Sequence, residues 1–195
     1  ALSRAEDLAR TMVVDAVGRE EGMLFVSTNT TCGTLLDTCR RDRPSLDPAR
    51  MGVVDCSGQD IGGSSPMRVK YVSTQSDLTG IGMKFSSLYE ALYGEVSAGR
   101  IRCGLISLSS LAMYVDLRKL FRFAQTISGR IDSADGLGVF SLDPTTHDTR
   151  EVNTLSQAAD GRIEVRDPEE HPDADGELRV RGLRDRSEEW RPFSL

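Results

Sequence analysis

The sequence predicts an α/β fold: a mostly parallel sheet covered by helices on both faces, followed by an antiparallel β tail. Two observations lead there. Short apolar runs at residues 23–26, 51–56, 69–72, 101–108 and 137–142 alternate with stretches whose apolar residues recur at helical spacing, the pattern of parallel strands joined by crossover helices. After residue 160 the helical spacing stops. Strand-like segments at 162–165 and 177–183 then flank the turn-rich acidic stretch Asp167-Pro168-Glu169-Glu170-His171-Pro172-Asp173-Ala174-Asp175-Gly176, the signature of a hairpin with a solvated tip.

Each element has a local reason. Ser3-x-x-Glu6 is a capping-box pattern, and Leu8, Met12, Val13, Ala16 and Val17 share one stripe, which predicts a helix over residues 3–17 packed on the sheet. Gly18 and Gly22 bracket a charged turn before the first strand at 23–26. A helix over 34–39 stops before Asp42-Arg43-Pro44, because a residue preceding proline avoids the helical region. Arg40, Arg41 and Arg43 suit that helix's carboxyl end. The second strand, 51–56, leads into Ser57-Gly58-Gln59-Asp60-Ile61-Gly62-Gly63-Ser64-Ser65-Pro66, a run of turn chemistry.

A third strand at 69–72 is followed by a loop containing Thr79-Gly80-Ile81-Gly82-Met83-Lys84 and a helix over 86–93, with Asp77 or Ser86 as its cap and Leu88, Tyr89, Leu92 and Tyr93 near its apolar face. Residues 101–108 read as a buried central strand and 109–113 as the turn leaving it. Residues 116–128 form an amphipathic helix with Leu117, Leu120, Phe121, Ala124 and Ile127 inward and Arg118, Lys119 and Arg122 in solvent. The strand at 137–142 ends at Asp143-Pro144-Thr145-Thr146-His147. A short helix over 151–159, the Asp160-Gly161 turn and a last edge strand over 190–195 complete the chain. One domain spans 1–195: a helix and turn over 1–22, an α/β core over 23–160 and a β tail over 161–195.

Composition narrows the function classes. The chain of 195 residues carries 24 basic and 30 acidic residues, a net charge of −6, which argues against general attraction to nucleic acid or anionic lipid. Lys70, Lys84 and Lys119 are the only lysines, and Asp outnumbers Glu. That balance suits a haloarchaeal protein at high ionic strength, with high-GC coding as the alternative. Cys32, Cys39, Cys56 and Cys103 form no C-x-x-C pair and read as small buried hydrophobes of a reducing compartment. With no signal-peptide pattern and no apolar run of membrane-spanning length, a cytoplasmic location is expected.

The chain is organised around Met23-Leu24-Phe25-Val26-Ser27-Thr28-Asn29-Thr30-Thr31-Cys32-Gly33-Thr34-Leu35-Leu36. Here a strand breaks into a turn the size of a phosphate loop and resumes as a helix. A Walker A loop needs glycines whose amides wrap the phosphates, a Lys, and a Ser or Thr for magnesium. This turn has one Gly and no Lys. Thr30, Thr31, Cys32, Gly33 and Thr34 mark the degenerate phosphate-loop position, and their amides and hydroxyls are the candidate contacts for an anion at the helix N-terminus.

Three further segments carry a family resemblance: Gly104-Leu105-Ile106-Ser107-Leu108-Ser109-Ser110-Leu111, Ala159-Asp160-Gly161-Arg162-Ile163, and the tail Leu178-Arg179-Val180-Arg181-Gly182-Leu183-Arg184 with Pro192-Phe193-Ser194-Leu195. Together with the layout they resemble the RecA-fold ATPases of the KaiC/RadA branch, most closely the divergent KaiC-like proteins of haloarchaea. The resemblance implies a RecA-like three-layer α/β/α fold, nucleotide at subunit interfaces, and Arg181 and Arg184 at such an interface. It also shows what is missing. The Walker A Lys falls on Cys32 or Gly33, the Walker B Asp on Ile106 or Ser107, the catalytic glutamates on Ser57-Gly58-Gln59, and the tail Lys on Gly182.

Phosphoryl transfer depends on those charges. The expectation is therefore a pseudo-ATPase without cofactor or metal, working through a protein partner or homo-oligomer as a regulatory or signalling module. A non-hydrolysing nucleotide sensor is the alternative. DNA binding, a third class, requires Arg100, Arg102, Arg118, Lys119 and Arg122 to converge on one surface. His147 and His171 read as solvated loop residues, and Ser109-Ser110 lacks both a G-x-S-x-G elbow and an evident base.

Overall fold

The computed structural model describes residues 2–58, 65–96, 99–183 and 188–195. Five strands, β1 (Gly22–Ser27), β2 (Met51–Asp55), β3 (Arg68–Tyr71), β4 (Ile101–Ile106) and β5 (Leu137–Phe140), form one sheet in the order β3-β2-β1-β4-β5, with every pairing parallel. The central strand β1 is buried along its whole length. Its side chains alternate between two apolar layers, as a period of two requires. Leu24 and Val26 join a core with Ile81, Phe85, Leu88 and Leu92 of α3 (Leu78–Tyr93) and Leu120, Phe123 and Ile127 of α5 (Leu117–Asp132). Met23 and Phe25 join the other core, with Val13 and Val14 of α1 (Leu2–Val14) and Leu35, Leu36 and Cys39 of α2 (Cys32–Asp42).

Gly104 at the centre of β4 sets how closely α1 lies on the sheet. A Cβ there would stand 2.9 Å from the Phe25 ring and 3.1 Å from Val13 Cγ2. Overpacking of this kind costs about 1–3 kcal/mol. Gly104→Ala is therefore expected to lower the unfolding free energy by that amount in urea titrations, with an unchanged denaturant slope.

Several boundaries differ from the sequence expectation. Helix α3 starts at Leu78, so residues 79–84 are its first turns rather than a loop, and Asp77 is the cap, accepting from Gly80 N–H at 2.8 Å. Two glycines lowered the helical signal, but Ile81 and Phe85 are fully buried on the core face and decide the outcome. Residues 109–113 are not a simple turn: α4 (Leu108–Ala112) forms there, because Ser107 takes a left-handed conformation (φ 72°) that ends β4 and caps the new helix. Helix α5 runs on to Asp132, burying Ile131, and Phe123 joins its inward stripe.

The tail forms a sheet of its own. Helix α6 (Thr149–Ser156), closed by an Asp148/Glu151 capping box, leads to β6 (Arg162–Arg166), β7 (Gly176–Arg181) and β8 (Arg191–Phe193), antiparallel in the order β6-β7-β8. No described helix is long and apolar enough to cross a membrane.

Candidate functional site at the carboxyl ends of the strands

In an open parallel sheet the ligand crevice opens where successive connections leave in opposite directions. Here that point lies between β1 and β4, since β2 and β3 extend the sheet to one side of β1 and β4 and β5 to the other. Its lining is Ser27 to Thr31 on one side and Ser107 to Ser110 on the other.

The crevice is closed by the chain's own polar groups. Thr28, 1% exposed, donates its hydroxyl to the Ile106 carbonyl at 2.8 Å, which ties the end of β1 to the end of β4. Ser27 Oγ donates to Thr30 O at 2.5 Å, which folds the turn onto itself. Gln75 Nε2 donates to Thr28 O at 2.8 Å and covers the turn from the β3 side.

At the amino end of α2, where a nucleotide-binding protein would hold phosphate, a protein carboxylate stands instead. Asp55, the last residue of β2 and 1% exposed, accepts from Cys32 N–H at 2.7 Å through one oxygen and from Ser57 N–H at 2.9 Å through the other. An anion at a helix amino end is favoured by the free amides and the helix dipole together. Asp55 satisfies both.

Thr31, Cys32 and Thr34, three of the candidate anion contacts, have partners within the chain. Thr31 is the N-cap of α2 and accepts from Thr34 N–H at 3.3 Å, and its hydroxyl lies 3.1 Å from that of Thr34. Cys32 is buried, with its sulfur 3.6 Å from Tyr71 Oη. Thr30 contributes its carbonyl to Ser27. Gly33 has open space where a Cβ would stand. Among the described residues no lysine bonds to the turn, and Lys84 donates to the Tyr71 carbonyl at 2.5 Å. Gln59 lies outside the described residues.

The four cysteines are free and buried, as the sequence suggested. Burial pushes the thiols of Cys39 and Cys56 up to about 12 and raises those of Cys103 and Cys32. None is poised as a thiolate at neutral pH. Among the described residues no group of three or more His, Cys, Asp or Glu is placed to hold a metal ion.

The structure supplies a base for Ser109 that the sequence reading missed. His147 is buried rather than solvated, its side chain 7% exposed, with Nε2 3.0 Å from Ser109 Oγ and Nδ1 3.2 Å from Glu151 Oε2. The order Ser, His, Glu is that of a hydrolase triad, but its surroundings are those of a structural tie. Ser109 Oγ accepts from Asp143 N–H at 2.9 Å, the following amide, Ser110 N–H, donates to Ser107 Oγ, and Glu151 completes the α6 capping box. The Ser110 amide, the one that follows the serine, is thus turned to Ser107 rather than to an oxyanion. The network fastens α4 to the segment leaving β5. His147→Ala is expected to cost about 1–3 kcal/mol, the range for stripping partners from buried polar groups, measured by chemical denaturation.

The tail residues are arranged for structure as well. Arg181 is exposed, 3.8 Å from Glu164 and 3.6 Å from Glu188, while Arg184 lies outside the described residues. His171 is held to the buried Glu177 at 3.1 Å rather than being free in the hairpin tip. Glu177 also accepts from the amides of Glu169, Glu170 and His171 and pairs with Arg166. Arg166 in turn stacks over Trp190 at 4.3 Å, and Arg179 does so at 4.7 Å.

The basic residues that DNA binding would require do not converge. Arg102 is at the amino end of β4, bonded to Glu21, Asp15 and the Met12 carbonyl, and Arg100 pairs with Asp135. Arg118, Lys119 and Arg122 are in the first turns of α5, which enters the sheet layer from the opposite end of β4.

Comparison with known proteins agrees on fold and is silent on activity. No curated protein matches the chain. Among solved structures it is similar to the uncharacterized protein PH0321 from Pyrococcus horikoshii, crystallised in complex with an unknown peptide. That match has 13% sequence identity and a TM-score of 0.61, and it covers 89% of this chain and 76% of the other. The model of DUF7504, a family of unknown function, matches residues 2–165, from α1 to the end of the α/β core and into β6. The chain belongs to DUF7504.

Proposed function

We propose that this protein is a RecA-like pseudo-ATPase: a catalytically inactive module that works by binding other proteins, in a regulatory or signalling role. The observation that carries the reading is Asp55. Its carboxylate takes the position at the amino end of α2 that a phosphate would need, with 2.7 Å to the Cys32 amide. The missing Lys, the Walker B position occupied by Ile106 or Ser107, and the Thr28 tie across the crevice point the same way. The peptide crystallised with PH0321 supports interaction with a polypeptide as the activity to look for.

The test is a thermal-shift titration with ATP and ADP, with and without magnesium, at low and molar potassium chloride, alongside a phosphate-release assay. A ligand that binds only the folded state raises its apparent stability by mass action. A flat melting temperature at millimolar nucleotide, with no phosphate release, is the expected result. Hydrolysis at rates typical of active RecA-fold ATPases would overturn the reading. A dose-dependent rise without hydrolysis would replace it with a nucleotide sensor.

A further inference from the structure

We infer that the trough between α3 and α5 is the docking surface, and that its occupant is an amphipathic helix with an acidic flank from a partner protein. This rests on the interaction-module reading and names the partner's chemistry. α3 and α5 lie side by side on one face of the sheet, each 16 residues long. Two contiguous depressions of about 780 and 680 Å³ run along their seam and share Glu90, Thr126 and Arg130. Sixteen helical residues span about 24 Å, so the seam has the length of a four-turn helix.

The trough has an apolar floor and a charged wall. Phe123, Ile127, Leu78 and Val115 line it, and Met83 on its rim is 69% exposed. Small residues keep it open on the α3 side: Gly82 has nothing nearer to a notional Cβ than Phe123 at 3.9 Å, and Ser86 turns its hydroxyl back onto the Gly82 carbonyl. Apolar anchors at helical spacing are what such a groove receives.

Charge selects the occupant. The chain as a whole is acidic, with a net charge of −6, and the trough sorts its charges by side: Lys119, Arg122 and Arg130 on the α5 wall, Asp77 and Glu90 on the α3 side. Arg130 is matched by Glu90 at 3.4 Å and Lys119 by Asp116 at 3.1 Å. Arg122 has no ion-pair partner among the described residues, and neither does Arg118 one turn before it. The Glu90–Arg130 pair spans the trough with the Glu90 side chain 76% and the Arg130 side chain 42% exposed. Exposed pairs contribute little to stability, so an incoming carboxylate can displace Glu90 and take Arg130.

The probe is a fluorescein-labelled 16-residue helical peptide with leucines at i, i+3, i+4 and i+7 and glutamates on its flanks. It is compared with the same peptide carrying lysines, by polarisation against the full chain in 0.15 M salt. Saturable binding of the glutamate peptide is expected, at least tenfold tighter than the lysine peptide and weakening as salt is raised. Met83→Glu and Arg122→Glu are both surface changes, and each is expected to weaken it at least tenfold without altering the melting temperature. Arg40→Glu, on the opposite helical layer, is expected to leave it unchanged. Equal affinity for both peptides, no binding, or indifference to Met83→Glu and Arg122→Glu would overturn the assignment. So would sedimentation showing a dimer that Met83→Glu dissolves, which would give the trough to a second copy. A failure here with a flat nucleotide titration removes the docking site alone, whereas a nucleotide response removes the module reading itself.

Discussion

Replacing Asp55 by alanine is expected to lower the unfolding free energy by about 2–5 kcal/mol, the range for removing a charged acceptor and stranding its buried donors. The Cys32 and Ser57 amides lose their shared carboxylate at once, and Thr31 is too far committed to Thr34 to replace it. Asp55→Asn keeps one acceptor and is expected to lose less. The same substitution has a ligand-dependent signature. With the carboxylate gone, the amino end of α2 regains an unsatisfied amide and its positive dipole end. Sulfate and ADP are therefore expected to raise the melting temperature of Asp55→Ala by several degrees more than that of the parent chain. A titration in which both proteins respond equally would mean that Asp55 does not stand in the anion's place.

Acid is expected to release the tail hairpin in a window set by Glu177. Burial alone would push this carboxyl up, but the Glu170 amide, His171 and Arg166 outweigh it and hold it down to about 2. A carboxyl depressed on folding stabilises the folded state above its ordinary value near 4.5, and that contribution is lost as pH falls from there through about 2. Glu164, also lowered because Arg179, Arg162 and Arg181 outweigh its desolvation, works in the same direction. Glu6, raised by burial and by Asp7, works in the opposite one.

Trp190, the chain's single tryptophan, lies against Arg166. Its fluorescence should therefore change through this pH window before the far-ultraviolet circular dichroism does. In Glu177→Gln the neutral side chain cannot hold Arg166 as an ion pair. Part of the altered tryptophan signal should then be present at neutral pH, and the acid transition should shrink to what Glu164 carries through Arg179 and Glu169 through Arg166.

The architecture was legible because long-range packing agreed with local pattern. The β1 residues form a short continuous apolar run, as a strand buried on both faces does, and the inward residues of α5 repeat at helical spacing, so run length located the one and period the other. Expectation failed where one side chain or one backbone angle decided. The glycines of α3 argued for a loop until Ile81 and Phe85 were seen filling the core. Ser107 ended β4 by a left-handed turn that no apolar count reports. The separation of the tail into its own sheet depends on which strands pair, and pairing is not written in either strand alone.

The site was less readable for the same reason. Asp55 was visible as a carboxylate closing a buried apolar run, but its partner amide lies 23 residues earlier in the chain. His147 and Glu151 were near each other in sequence, four positions apart, while Ser109 is 38 positions from the histidine. A reading restricted to motifs looks for groups that do chemistry on a ligand. It passes over a side chain whose chemistry is directed at its own backbone.

The tether on Asp55 has a thermodynamic consequence. A carboxylate delivered by a neighbouring strand competes with dissolved anions as an intramolecular ligand, at an effective concentration fixed by geometry rather than by supply. Occupancy of the α2 terminus is then constant across metabolic states. On the proposed reading, a protein built this way is expected to keep one conformation as nucleotide rises or falls, and to offer any partner the same surface throughout.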